Sequence, residues 1–482
     1  MKSPLKKEPV ILEEARHLLL QNDVQGALQT IFDAMRAYQI PENGATGFTA
    51  SLPRLDTLCQ EIGSRFLNSE IRPNSRKGKP LDVYLMTEIY DTGGHTGLIG
   101  DYVANSPDRQ AVLLLSNALN QNPPPAMAIA RTGISSEYIE KCPHDRLLEQ
   151  TRWMIARLEE LQPDRLFILN HPYDPVPIAA AQPGLARWIY YVHHADHTPA
   201  LGVSLRCTSH FDLTPRAMHC CRSLLKVPNT VYLPLQCYES PTLPHPINGS
   251  VLSTASSGSS HKFSWKGPTA YPSIIKQLLG STSGSHFQIG PLAPQQLRQW
   301  RTNLTEMGIA QDRLVYVPHV SSLWQAMHDL KIDLYLHSFP LPGARAAVEV
   351  MGSGTPILHY SPLDNPLQSS ANLVYPESKT WSTTEQLIAL VNHANGEWLA
   401  THRKYSRRYY EKNHARGLLL PAFQKDPIAG PDPFKLDPLI MEFFRDEIDA
   451  YCEKFQGIAK RSLFQKWASR LRLRLEKFSS KP

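Results

Sequence analysis

The sequence lacks any run of about 18 consecutive apolar residues, so no helix is expected to cross a bilayer. Its opening, MKSPLKKEPVILEEARH, has basic residues but no apolar stretch of the kind a secretory signal carries. Cysteine is sparse. The seven are odd in number and scattered, which points to a reducing compartment and away from a disulfide scaffold. No C-x-x-C pair occurs, and Cys220 and Cys221 are direct neighbours, so a structural zinc site is not expected. A strong charge of either sign is also missing. The formal charge is +6, and much of the excess lies beyond Tyr451, so it describes a tail and not a face for nucleic acid.

What is present is length, proline and alternation. A chain of 482 residues can hold two or three domains with separate cores. Forty prolines imply many turns and short connections. Residues 8–70 read as helical, with Leu18, Leu19, Val24, Ala27, Leu28, Ile31 and Met35 at helical spacing. The text ARHLLLQNDVQGALQTIFDAM resembles one helix-turn-helix of the tetratricopeptide type. One such unit cannot bury both faces alone, so it should pack on the next domain. Residues 71–80 are a polar linker.

Strands are then expected at Leu81–Ile89, Ala111–Leu115, Arg165–Asn170, Trp188–His193, Val203–Cys207 and Thr230–Leu235, with room for helices such as Leu147–Leu161. YESPTLPHPINGS, residues 238–250, reads as an interdomain linker. A second alternation follows. Its strands are Ser250–Ala255, His286–Gly290, Leu314–Pro318 and Ile332–His337, and its helices Tyr271–Leu279, Pro294–Met307 and Ser322–Asp329. The expected architecture is α/β: two doubly wound Rossmann-like domains, 76–240 and 241–425, facing a cleft. A helical N-terminal extension, 1–75, precedes them, and C-terminal helices, 426–482, follow. Ligands bind outside the carboxyl ends of such strands.

The segment Asp333–Leu358, DLYLHSFPLPGARAAVEVMGSGTPIL, is the most telling. A buried strand, a Pro/Gly loop over Ser338–Gly343 and a helix over Ala344–Met351 make a phosphate-holding geometry. Free backbone N–H groups and the positive helix end meet at one point. Glu349, two turns further on, can reach a sugar hydroxyl. Arg345 stands in the first turn, where the dipole disfavours a cation unless an anion is bound.

This order resembles the donor-sugar site of GT-B glycosyltransferases, carried here by Gly343, Ala344, Glu349, Met351, Gly354, Thr355 and Pro356. Retaining members of the family-4 type have a second acid eight residues before the glutamate, and here that position is Leu341. The resemblance implies donor contacts from Ser338, Gly343, Ala344, Arg345 and Glu349. In SSGSSHKFSWKG, Lys262 or Lys266 matches the place of a basic side chain against the diphosphate, Lys262 lying closer to the strand end. VYVPHVSSL matches the loop that holds the nucleobase, with Val317 and His319 as candidates. No Asp-x-Asp motif stands at a strand end, so a metal-bridged diphosphate is not indicated; no cofactor and no metal are expected.

In the first domain, DTGGHTGLIGDYV places Gly94 and His95 at the mouth of a helix, where GT-B proteins carry a Gly-rich loop. An imidazole there could take a proton from an acceptor hydroxyl or bond the transferred sugar. YYVHHADHTPALG clusters His193, His194, Asp196 and His197 at a strand end. It resembles a segment of some bacterial polysaccharide glycosyltransferases. As a cleft lining, it lets Asp196 orient His197 or His194. As a metal site it fits part of the His-x-His-x-Asp-His pattern of metallo-β-lactamase-type hydrolases, with Val192 where the first ligand should be. Helix capping is the third reading.

Lys460–Lys477, KRSLFQKWASRLRLRLEK, is amphipathic and basic. It can lie on an anionic membrane surface or dock on the protein. The expectation is a cytoplasmic, metal-independent hexosyltransferase of surface polysaccharide or glycoconjugate synthesis, peripheral on the inner face of the plasma membrane. Its partners would be a nucleotide-sugar donor and a glycan, lipid-linked or protein acceptor, without nucleic acid. A non-catalytic GT-B-like protein, a nucleotide-sugar epimerase and a metallohydrolase stand as alternatives. They would show binding without turnover, interconversion of free donor, and stoichiometric zinc, respectively.

Overall fold

The computed structural model describes residues 10–38, 51–68, 78–91, 94–120, 124–237, 239–240, 246, 251–265, 267, 270–306, 308–361 and 372–431. Most of the linkers read at 71–80 and 238–250, and the amphipathic run Lys460–Lys477, lie outside these residues, as do Gly93 and Lys266. The chain divides into two compact units. One holds the described residues up to Leu233 together with those from Pro421 onward, and the other is Pro234–Leu420.

The first unit is built on a seven-stranded parallel sheet. Its strands are β1 (Leu81–Met86), β2 (Gln110–Leu115), β3 (Ile139–Lys141), β4 (Arg165–Leu169), β5 (Trp188–His193), β6 (Ser209–Asp212) and β7 (Thr230–Tyr232), in the order β3-β2-β1-β4-β5-β6-β7. β1 and β4 are buried at every position, as strands covered on both faces must be. The N-terminal helices Val10–Leu20 and Val24–Tyr38 form a helix-turn-helix, reversing at Asn22. Their apolar faces and that of helix Pro53–Ser64 share one core with the sheet: Leu12, Leu28 and Ile62 belong to the same cluster as Val83, Leu85 and Ile168.

The chain re-enters this unit after Pro421. Arg165, almost fully buried, anchors the return: its Nε donates to Asp426 Oδ1 at 2.8 Å and its Nη2 to Phe423 O at 2.8 Å. The Ile428 N–H donates to the Tyr190 hydroxyl at 3.1 Å.

The second unit has a six-stranded parallel sheet of β8 (Thr254–Ser257), β9 (His286–Ile289), β10 (Leu314–Val317), β11 (Leu334–Leu336), β12 (Ile357–Tyr360) and β13 (Lys379–Trp381), in the order β10-β9-β8-β11-β12-β13. Both sheets reverse their strand order once, between β1 and β4 and between β8 and β11, and such a reversal opens a crevice at the carboxyl ends.

One expected strand is absent. Val203 and Ser204 form a turn, residues 205–207 are irregular, and the strand is Ser209–Asp212 instead. Gly202 sits at φ +99°, which ends extended backbone, and the two oxygens of the buried Asp56 carboxyl accept from the Gly202 and Ser204 N–H groups at 2.7 and 2.8 Å. Those are groups a sheet ladder would need. The strand expected at Ser250–Ala255 is shifted to Thr254–Ser257.

Candidate functional site

In the first unit the candidate residues gather where β1, β4 and β5 end. These strands are parallel neighbours, so the loops leaving them open on one edge. Helix Gly94–Ala104 starts after β1 and buries Thr96, Gly97, Leu98 and Ile99, which fixes Gly94 and His95 in its first turn. The Tyr90 N–H donates to Thr96 Oγ1 at 3.0 Å and closes the loop before it. Arg131 braces the same loop by donating to the Tyr90 and Asp91 carbonyls.

The His95 ring lies 5.8 Å from that of His194, nearly parallel to it, and 5.7 Å from that of His171. Tyr90 is 5.2 Å away, and its hydroxyl sits 3.0 Å from Glu88 Oε2 and 3.2 Å from His171 Nε2. The Glu88 backbone bonds the His95 ring. Nε2 of His95 is buried and has no hydrogen-bond partner among the described residues. Burial first, then His194, His171 and Arg131, push the His95 pKa well below its ordinary value. Burial also takes His171 down to about 4 and, with His171 beside it, His194 to about 3. The group is therefore a set of neutral imidazoles at neutral pH. A ring bonded to a carbonyl on one side keeps its other nitrogen available to take a proton.

His194 and Asp196 make different contacts. His194 Nδ1 lies 3.4 Å from its own strand's Val192 O. Asp196 turns to the loop after β6, accepting from Thr214 Oγ1 at 2.9 Å, with Arg216 at 3.7 Å and His197 Nδ1 at 3.8 Å. Burial alone would raise its carboxyl, but His197 and Arg216 outweigh that and hold it well below the usual carboxylate range. Asp196 thus stands beside His197. The partial metallohydrolase pattern does not form a cation cluster among the described residues.

In the second unit the loops after β8 and β11 meet. Phe263 pairs with Pro340 in an isolated antiparallel bridge, and the Leu341 N–H donates to Lys262 O at 3.3 Å. This holds half-buried Lys262 beside the loop that opens helix Ala344–Gly352. His337 Nε2 lies 3.0 Å from both the backbone N and the O of Gly343. Burial drives this imidazole to about 4, with the charge of Lys262 adding to the effect, so it is neutral and accepts from the Gly343 N–H. The N–H groups that remain for an anion are those that follow Gly343 in the first helical turn, starting with Ala344 and Arg345. Ser338 is buried and its hydroxyl donates to Leu341 O at 3.0 Å, bracing the loop.

Glu349 has two partners among the described residues. Its Oε2 accepts from the Leu323 N–H at 2.8 Å, at the start of helix Leu323–Asp329, and its Oε1 lies 3.4 Å from Arg345 Nε. The first-turn arginine is therefore already balanced by an acid one turn on. The same Glu349 bond ties the helix to the loop after β10 that carries half-buried His319.

No protein-family model matches the chain, and no curated protein matches it. Solved structures do. A crystal structure of Anabaena HepE in complex with UDP and glucose aligns with a TM-score of 0.53 at 13% identity, over 70% of this chain and 96% of that one. The same protein in complex with UDP-glucose gives 0.53 at 13% identity, over 72% and 99%. The chain has the GT-B fold. A Thermobaculum terrenum O-GlcNAc transferase mutant also aligns, over 94% of this chain and 85% of its own, at a TM-score of 0.46 and 13% identity.

Within this GT-B chain, sequence reasoning missed His171, Tyr90, Glu88 and His337. A signal existed for His171 and His337. Each stands directly behind a strand that borders a strand-order reversal, in LNH and LYLH.

Proposed function

We propose that the chain is a glycosyltransferase that uses a nucleotide-sugar donor of the UDP-hexose type. The observation that carries this reading is the loop pair at the β8/β11 reversal. Lys262, the first turn of helix Ala344–Gly352 and Glu349 are assembled there by hydrogen bonds that include no ligand. The HepE complexes, with UDP and UDP-glucose, support a uridine nucleotide as the donor's leaving group.

In this reading the acceptor oxygen forms a bond to the anomeric carbon, and the bond from that carbon to the diphosphate breaks. The acceptor proton passes to His95 Nε2. The negative charge left on the diphosphate is stabilised by the helix N-terminus and Lys262. Glu349 bonds a ribose hydroxyl, and the loop around His319 holds the base. Gly94 lets the acceptor approach, and His194 and His171 shape the ground around His95. Asp196 and His197 serve the adjoining loop. Ser338 and Gly343 position the phosphate turn.

The acceptor is a glycan, a lipid-linked glycan or a protein, in surface polysaccharide or glycoconjugate synthesis on the cytoplasmic side. Lys460–Lys477 provides peripheral contact with anionic membrane. Among the described residues no helix is long and apolar enough to cross a membrane. A thermal-shift screen against nucleoside diphosphates and their sugars tests the reading. UDP and at least one UDP-hexose should raise Tm, because a ligand of the folded state adds to its stability. No shift with any of them contradicts it.

A further inference from the structure

The His193 side of the HHADH segment does something the donor and acceptor reading leaves unused. His193 and Asp212 face one another in register at the ends of β5 and β6, and His210 lies two residues before Asp212 on the same face of β6. Cys221 comes from the turn that follows. Helix Pro215–His219 runs into Cys220–Leu224, where Leu225 N–H donates to Cys220 O five residues back. Such widened turns recur at functional sites. All four side chains are buried.

Their atoms converge. His193 Nδ1 is 2.9 Å from Asp212 Oδ1, His210 Nε2 is 3.2 Å from the same oxygen, and Cys221 Sγ is 3.3 Å from it and 3.5 Å from His193 Nδ1. One ligand atom from each residue lies within 4.8 Å of all the others. A tetrahedral zinc ion, with bonds of about 2.0–2.3 Å, spaces its ligand atoms by about 3.3–3.7 Å. The group is already gathered to nearly that size.

Hydrogen bonding alone explains it poorly. Three donors would crowd onto Asp212 Oδ1, while Oδ2, equally buried, has no partner among the described residues. A cation among the four atoms removes the crowding. Two imidazoles, a thiolate and a carboxylate form a donor set suited to zinc. One dication with one thiolate and one carboxylate is neutral overall, which lowers the cost of burying the site.

We propose that His193, His210, Asp212 and Cys221 hold a structural zinc ion. All four positions are filled by protein and buried, so the ion does not meet substrate. It pins the end of β5, from which His194 extends toward His95.

Full-length protein from zinc-supplemented cells, desalted and assayed by mass spectrometry for metals, should carry about one zinc per chain. Replacing that zinc with cobalt(II) should give a thiolate-to-cobalt charge-transfer band and tetrahedral d–d bands. Asp212→Asn and Cys221→Ser should lose the metal, and Cys220→Ser, one residue away, should keep metal and band. Folded wild-type protein with less than about a tenth of an equivalent of zinc, and no gain on adding it, overturns the proposal. A cobalt spectrum without thiolate character overturns the assigned ligands, and this readout needs no variant to fold.

Discussion

At the scale of the residue, His95 carries the acceptor-side argument. His95→Ala should lower turnover by about 10²–10⁴ and leave donor affinity nearly unchanged, if the imidazole is the base. The pH profile is a separate check. His95 is held neutral by burial and by His194, His171 and Arg131, with the Glu88 backbone opposing and the Tyr90 ring alongside. A base with a lowered pKa stays unprotonated as pH falls through the usual histidine range. The rate should therefore hold through that range and decline only at lower pH, whereas an acid limb near the ordinary histidine pKa would contradict the assignment. Much of this was legible in the sequence, since Gly94–His95 follows a strand and opens a helix. The neutrality was not, because it comes from burial first and then from His194 and His171, which follow other strands. Glu349 was legible as an acid two turns into the phosphate helix, but its bond to the Leu323 N–H was not, because no local pattern joins residues 26 apart.

At the scale of the element, strands with continuous apolar runs were readable almost to the residue. Trp188–His193 coincides in both readings, and β1 ends at Met86 where the text suggested Ile89. Val203–Cys207 misled because its composition suits a strand while its conformation is set from afar by Asp56. That carboxyl is raised to about 7, mainly by burial, with the Gly202 and Ser204 N–H groups pulling the other way. Its neutral form is the one the fold favours. The stabilisation is thus complete below the ordinary value of 3.8 and is lost as pH rises toward about 7. Urea midpoints should fall with pH across that window, and Asp56→Asn should flatten the trend. It should also cost about 1–3 kcal/mol, since an amide has one acceptor for two N–H groups. An unchanged slope in the variant would count against it. Gly352, the last residue of helix Ala344–Gly352, is a packing requirement. A Cβ there would lie 2.1 Å from Trp324 Cζ3. Gly352→Ala should destabilise by about 1–3 kcal/mol in equilibrium unfolding, and a neutral effect would mean the indole can move aside at little cost.

At the scale of the whole molecule, two parallel sheets with one reversal each were legible from alternation alone, because parallel strands need long crossovers that leave a regular spacing. The chain returns to the first unit after Pro421. Its anchor, Arg165, is a charged residue inside a strand that reads as apolar. For the basic tail, full-length protein should bind anionic vesicles in a salt-sensitive way, each basic residue near the surface contributing about 1 kcal/mol, and deletion of 460–482 should abolish it. Binding that survives deletion would place the contact elsewhere.

A nucleotide-sugar site at the β8/β11 reversal is tested by calorimetric titration of UDP-hexose into wild-type and Glu349→Gln protein. Glutamine keeps an acceptor for the Leu323 N–H and removes the charge. The account expects saturable binding, with UDP competing, and a loss of about 1.5–3 kcal/mol in the variant, roughly a 10- to 100-fold weaker Kd. Saturable wild-type binding that is equally tight in Glu349→Gln, or no binding of UDP or any UDP-hexose to folded protein, would contradict it.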